Sequence, residues 1–342
     1  MKLPSASGCV LIIAALAMSI VPNLPVLAGT RATAVRVAST RPSDVDEWWR
    51  VDGRLRARDG RHIDYTLTLF RASTSVPNVG SRRFDDWREG TTFIAATTLI
   101  DESTQRVERN VRAVRGAATC VCVWGLAWLH DDGATTFGVD LRAEGTQLRM
   151  TERATKRAVR LADGERLMTA LATTGTLAIA GRTLAVTGKS WYDHSVGHRV
   201  RTSGALGWDR YIVQLDDGRE LLFESDRFPA KHAMSRALIV DRAGRVRSLA
   251  PAAYRLRDMN RAGWRSPQTG VRYPDLWALH VPSETPMLSL EPVVIDQEIA
   301  SDRGTPFYSG VVDVYDVTPW SMGRRLGTGF VELTGYASPI DL

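Results

Sequence analysis

Cysteine is scarce in this chain: three occur in 342 residues, and one of them, Cys9, precedes an apolar run near the start. The other two, Cys120 and Cys122 in TCVCVWGL, lack the four ligands and the spacing of a structural zinc site. Two small residues on one face of a strand, or a strained pair in an oxidising compartment, are the readings left. Long apolar runs are scarce too. VLIIAALAMSIV follows Lys2 and leads into PVLA, the order of a secretory signal cleaved after Ala28. That run is too short for a membrane span, and no second one follows. Cys9 lies before the run rather than after it, which argues against a lipoprotein box. The expectation is an exported protein, periplasmic or secreted, with residues 1–28 removed and a small polar leader over 29–43.

Several catalytic signatures are missing. There is no G-x-S-x-G elbow, no H-E-x-x-H and no phosphate-binding glycine loop, which argues against a serine hydrolase of that type, a zinc protease and a P-loop enzyme. The formal net charge is +6, and loss of Lys2 leaves about +5. That excess is spread along the chain without a Lys/Arg run interleaved with aromatics, so nucleic acid is excluded as a partner. A weak peripheral attraction to anionic membranes remains open. Helical periodicity is scarce; DESTQRVERNVRAV reads either as a short helix or as a charged edge strand.

What is present is period-2 alternation. DYTLTLF puts Tyr65, Leu67 and Leu69 on one face, TQLRMT does so with Leu148 and Met150, and YIVQL with Tyr211, Val213 and Leu215. Asp-Gly pairs at Asp59-Gly60, Asp132-Gly133, Asp163-Gly164 and Asp217-Gly218 punctuate these runs as hairpin turns do, because both residues tolerate positive φ. IVQLDDGRELLF and LIVDRAGRVRSL read as hairpins. The pattern predicts an all-β protein whose antiparallel sheets close into barrels or sandwiches, since open edges aggregate. A polar stretch at 199–207 divides two β-rich halves, 44–200 and 201–340.

One segment concentrates chemistry. TGKSWYDHSVGH, residues 187–198, holds Trp191, Tyr192, Asp193, His194 and His198, in a chain with six histidines in all. Trp191 and Tyr192 can be core residues with Asp193 and His194 at a turn. Asp193, His194 and His198 can be metal ligands, although the β pattern makes a shared helix face improbable. An acid beside an imidazole in an apolar cleft can also hold and deliver a proton, with aromatic faces stabilising a cation. Ten tryptophans favour that last reading. Trp48 and Trp49 are adjacent, so a strand points them to opposite faces. Trp208 follows the motif in GWDRY.

Five segments in order carry a family resemblance: EWWRVDGRLRARDGRHIDYTLTLFR from Glu47, TTGTLAIAGRTLAVTGKSWYDHSVG from Thr173, LGWDRYIVQLDDGRELLFE, WRSPQTGVRYPDLWALHVP from Trp264, and FYSGVVDVYD with GTGFVELTGYA towards the end. The chain resembles the secreted lipocalin-like proteins grouped with AttH and carotenoid 1,2-hydratase. The resemblance implies two tandem lipocalin-like barrels with a site for an apolar isoprenoid or lipid. In hydratase members it implies water addition to a C=C bond through a tertiary cation, with neither metal nor organic cofactor. It makes Asp193 the candidate acid and His194 its tuner or the orienter of water. Tyr192 joins them as a candidate catalytic residue, and Trp191, Trp48, Trp49 and Trp208 become candidate substrate walls. A non-catalytic carrier and a cyclase on the same scaffold are the alternatives. The sequence departs from the family pattern at Val196, where Trp is frequent, at Arg50, where an aromatic commonly follows Glu-Trp-Trp, and around Thr92, where a His is often found.

Overall fold

The structure is a computed structural model. It describes residues 47–75, 89–116, 121–123, 127–131, 136–143, 145–196, 204–229, 231–301, 304–317 and 323–339. The leader, Cys120, Asp132-Gly133 and His198 lie outside these residues, and Cys122 is described through its backbone in a strand.

The first half contributes eleven strands: β1 Glu47–Ala57, β2 His62–Ser75, β3 Glu89–Asp101, β4 Arg106–Gly116, β5 Val121–Val123, β6 Ala127–Asp131, β7 Thr136–Ala143, β8 Thr146–Ala154, β9 Val159–Arg160, β10 Arg166–Ile179 and β11 Arg182–Val196. The second contributes β12 Gly207–Leu215, β13 Glu220–Phe228, β14 Lys231–Val240, β15 Val246–Ser248, β16 Arg255–Asp258, β17 Trp264–Arg265, β18 Arg272–Tyr273, β19 Trp277–His280, β20 Leu288–Pro292, β21 Glu298–Ser301, β22 Gly304–Asp316 and β23 Arg325–Leu333. The first sheet runs β4-β3-β2-β1-β11-β10-β8-β7-β6-β5, and the second β15-β14-β13-β12-β23-β22-β20-β19-β16. Every pairing is antiparallel, so each sheet curls on itself as a lipocalin-like barrel. The fold is all-β, with two such barrels in tandem.

The hairpins form where the turn chemistry demands them. Gly60, Gly164, Gly218 and Gly244 take φ of +93°, +89°, +84° and +81°, the left-handed region that a tight reversal needs. The ambiguous DESTQRVERNVRAV resolves as a turn at 102–105 followed by edge strand β4. Its charged residues suit an edge because they discourage pairing with another chain.

Three buried clusters result. Tyr65, Leu67, Leu69, Leu148, Met150 and Tyr192 fill the first barrel. Tyr211, Val213, Leu215, Trp277 and Tyr308 belong to the second. The third cluster joins the halves: Ile100, Leu167 and Trp191 from the first meet Ile212, Leu222, Val311 and Phe330 from the second. Strand β12 is therefore buried at every position. One face looks into its barrel and the other into the seam, as in strands covered on both sides.

Candidate functional site

Strand β11 is the wall between two environments, and its alternation splits the WYDH segment. Trp191 and Asp193 face the seam, while Tyr192 and His194 face the first barrel. The register of β1 against β11 sets Trp49 opposite His194 and Arg50 opposite Asp193. The adjacent tryptophans part in the same way. Trp49 stacks on His194, with ring centroids 5.2 Å apart and planes 6° apart, whereas Trp48 meets Trp208 at 5.6 Å in the seam.

At the barrel end of β11, His194 Nε2 lies 2.7 Å from Glu47 Oε1, and the other oxygen of Glu47 pairs with Arg71 at 2.5 Å. The Tyr192 ring lies 6.4 Å from the imidazole, with Phe137 against its other side at 4.8 Å and the Arg166 guanidinium 6.0 Å from its centroid. His194 keeps 22% of its side chain exposed while Tyr192 keeps none. This is a carboxylate–imidazole pair among aromatic faces, open enough to reach a ligand and water.

The seam face is buried and charged. Asp193 accepts the Trp191 Nε1–H at 2.6 Å and pairs with Arg210 at 2.8 Å. Arg210 also meets Glu165 at 3.1 Å and Glu224 at 3.2 Å, and Arg236 meets the same two glutamates at 2.5 and 3.0 Å. Three buried carboxylates thus share two guanidiniums. Burial, with Glu165 adding to it, pushes the Asp193 carboxyl up to about 7 against the pull of Arg210. Burial weakens the charge of Arg210, but its three acids outweigh that and hold it above its ordinary value. Arg50, the residue in place of the family's aromatic, pairs with Asp52 at 2.5 Å and with Glu332, which also accepts the Trp208 Nε1–H at 2.7 Å. Gln214 crosses the seam to the carbonyls of Thr169 and Ser190, at 2.8 and 3.0 Å. Arg50, Asp193, Trp191, Trp48 and Trp208 are one environment; Tyr192, His194, Trp49 and Glu47 are another.

Sequence reading missed Glu47 as a partner of His194, although it opens the Glu-Trp-Trp segment. It also missed Glu152, which sits deeper in the first barrel and is fully buried. Glu152 accepts the Tyr65 hydroxyl at 2.6 Å and the Thr173 hydroxyl at 2.5 Å. Burial lifts its carboxyl to about 7, with those hydroxyls and Ser190 working the other way. The signal was available: the alternation that turns Leu148 and Met150 inward turns Glu152 inward as well.

A family model described as AttH-like matches residues 38–336. The chain belongs to the AttH-like family. Among solved structures, this AttH-like chain is similar to a putative AttH from Nitrosomonas europaea, with TM-score 0.71 and 20% identity over 92% of this chain and 100% of that one. It is also similar to kievitone hydratase from Nectria haematococca, with TM-score 0.65 and 16% identity over 89% and 93% of the two chains. At those identities the likeness is one of fold. A search of curated protein sequences finds no match.

Proposed function

We propose that this AttH-like protein takes a long apolar isoprenoid or lipid into its first barrel and adds water across a C=C bond, with His194 transferring the proton. The observation that carries this reading is the imidazole itself, paired with Glu47, stacked on Trp49 and partly exposed at one end of an aromatic-lined barrel. The imidazolium gives its proton to one alkene carbon, and the electron pair of the double bond forms the new C–H bond. The faces of Trp49 and Tyr192 stabilise the tertiary cation left at the other carbon. Water adds there, and the neutral imidazole takes the proton it releases, so the ring ends as it began. Glu47 stabilises the imidazolium in both steps. A hydratase among the structural neighbours supports the reaction class, and the apolar leader supports export, with any membrane contact peripheral.

A second reading has its own observation. The Asp193 carboxyl, lifted to about 7 beside Trp191, can act as the acid for a ligand lodged between the halves. Squalene, whose ends are isopropylidene groups, incubated in H₂¹⁸O separates the readings by mass. Under the first, wild type incorporates ¹⁸O, and His194→Gln and Glu47→Gln lose about 10²-fold or more while Asp193→Asn retains turnover. The reverse pattern moves the acid to the seam. Squalene binding without incorporation makes the protein a carrier. Neither binding nor turnover sinks the apolar-ligand reading.

A further inference from the structure

Glu152, Tyr65, Thr173 and Ser190 form a closed ring inside the first barrel. Tyr65 Oη touches Glu152 Oε1 at 2.6 Å and Ser190 Oγ at 2.7 Å; Thr173 Oγ1 touches Glu152 Oε2 at 2.5 Å and Ser190 Oγ at 2.6 Å. All four residues are buried. These are four oxygen–oxygen contacts at hydrogen-bonding distance, and each needs one hydrogen. The three hydroxyls bring three. With an ionised Glu152, one contact leaves two oxygens facing each other with no hydrogen between them. A proton on the carboxyl completes the count, and the bonds then run around the ring in one direction. The hydrogen count points to Glu152 as a neutral carboxylic acid whose proton closes a lock on the wall of the first barrel, holding β2 to β11 over β1, and to loss of that proton as the event that opens the lock and eases entry to the barrel.

The lock has reach. Tyr65 is on β2, Ser190 on β11, Thr173 on β10 and Glu152 on β8, so the ring lies along the neighbouring strands β2-β1-β11-β10-β8, with Glu152 directly opposite Thr173 and only Tyr65 reaching over another strand, β1. Gly53 on β1 makes this possible. A Cβ there would lie 2.4 Å from both Ser190 Oγ and the Tyr65 ring, so only glycine lets the phenol lie across β1. The hydrophobic cluster that holds Tyr65 draws apolar side chains from the other strands: Phe93 and Ala95 on β3, Leu129 on β6, and Phe137 and Val139 on β7. Asp52, on the far face of β1, bears on Tyr65, whose own hydroxyl burial and Glu152 hold well above its usual range. Among the described residues no cation offsets a charge on Glu152, which is why burial lifts its carboxyl to about 7. The folded state then holds the proton more tightly than the unfolded chain. The lock is closed below about 7 and opens as pH rises through it, and its contribution to stability is fully present below the ordinary glutamate range and lost as pH rises through about 7.

The test needs no substrate, so it stands apart from the hydratase reading. Infrared difference spectra of wild type minus Glu152→Gln at pH 6 should show the carbonyl band of one protonated carboxyl, and this band should fade as pH rises through 7. In the variant the side-chain amide brings two hydrogens, one for the missing contact and one left over, so the ring can form at every pH with one buried N–H unpaired. Uptake of the uncharged dye Nile red should then quicken several-fold in wild type between pH 5.5 and 8 and stay flat in Glu152→Gln. Absence of the band at pH 6, or the same pH profile of dye uptake in wild type and Glu152→Gln, overturns the lock.

Discussion

Each barrel buries a glutamate among one tyrosine, one threonine and one serine hydroxyl, yet the two sites are wired differently. In the second barrel Glu298 accepts the hydroxyls of Tyr273 at 2.9 Å, Thr269 at 2.7 Å and Ser266. There the serine oxygen accepts the amides of Gln268 and Thr269, both at 3.1 Å, and the threonine oxygen accepts that of Val271 at 3.2 Å. Both of these hydroxyls take hydrogens from the backbone and give their own to the acid, as the tyrosine does, so three hydrogens serve three contacts. In the first barrel the hydroxyls touch one another, and the count is short by one until Glu152 brings a proton. The same residue types therefore make a fixed tie in one half and a titrating one in the other. What differs is the backbone. Residues 266–271 form a turn with free amides, whereas Tyr65, Thr173 and Ser190 lie on strands whose amides belong to the sheet.

The seam offers a third arrangement of buried acids, and breaking it should have the largest effect. Arg210→Met leaves Asp193 without its ion-pair partner and Glu165 and Glu224 with Arg236 alone, and should cost about 3–5 kcal/mol in urea unfolding, as loss of one partner from a buried ion cluster does. A change near wild type would mean that the acids take up protons and the seam carries little net charge. Gly53→Ala attacks the first barrel's tie through sterics. The new Cβ displaces Tyr65 or Ser190, and the expected loss is about 1–3 kcal/mol, with faster amide hydrogen exchange on β2 and β8.

Glu298→Gln and Glu152→Gln probe the contrast between the barrels directly. The first brings two amide hydrogens to a site whose three contacts are already served, and should cost about 1–3 kcal/mol by stranding buried donors, at pH 5.5 and pH 8 alike. The second strands one amide hydrogen and should cost about 1 kcal/mol at pH 5.5. Because the Glu152 carboxyl is raised, wild type loses stability relative to this variant as pH climbs from the ordinary glutamate range to about 7, by about 2–3 kcal/mol. Equal pH dependence of the two variants in thermal melts would erase the distinction between the barrels. At the small end, Arg245→Ala removes an exposed turn contact to Asp241 and should leave the melting temperature unchanged.

Much of the fold was legible residue by residue. Tyr65, Leu67 and Leu69, then Leu148 and Met150, then Tyr211, Val213 and Leu215, turned inward as their alternation required, because a strand gives successive side chains opposite faces. The Asp-Gly turns within the described residues formed for an equally local reason. The parting of Trp48 from Trp49 followed from adjacency alone. The grouping of the WYDH segment was not legible. The same alternation that places Tyr192 and His194 in the barrel places Trp191 and Asp193 outside it, and what lies outside a strand depends on what packs there.

Strands, turns, inward faces and family were all set by the order of residues along the chain, since these follow from period, turn chemistry and ordered motifs. Four things came from packing instead: the outer face of β11 meets β12, Arg210 stands against Asp193, Glu47 reaches His194, and three hydroxyls from three strands converge on Glu152. Burial and partnership are properties of what the folded chain brings together from distant positions, and charge states follow them. For that reason Glu152 and Glu298, each a glutamate in its strand, have different hydrogens to share.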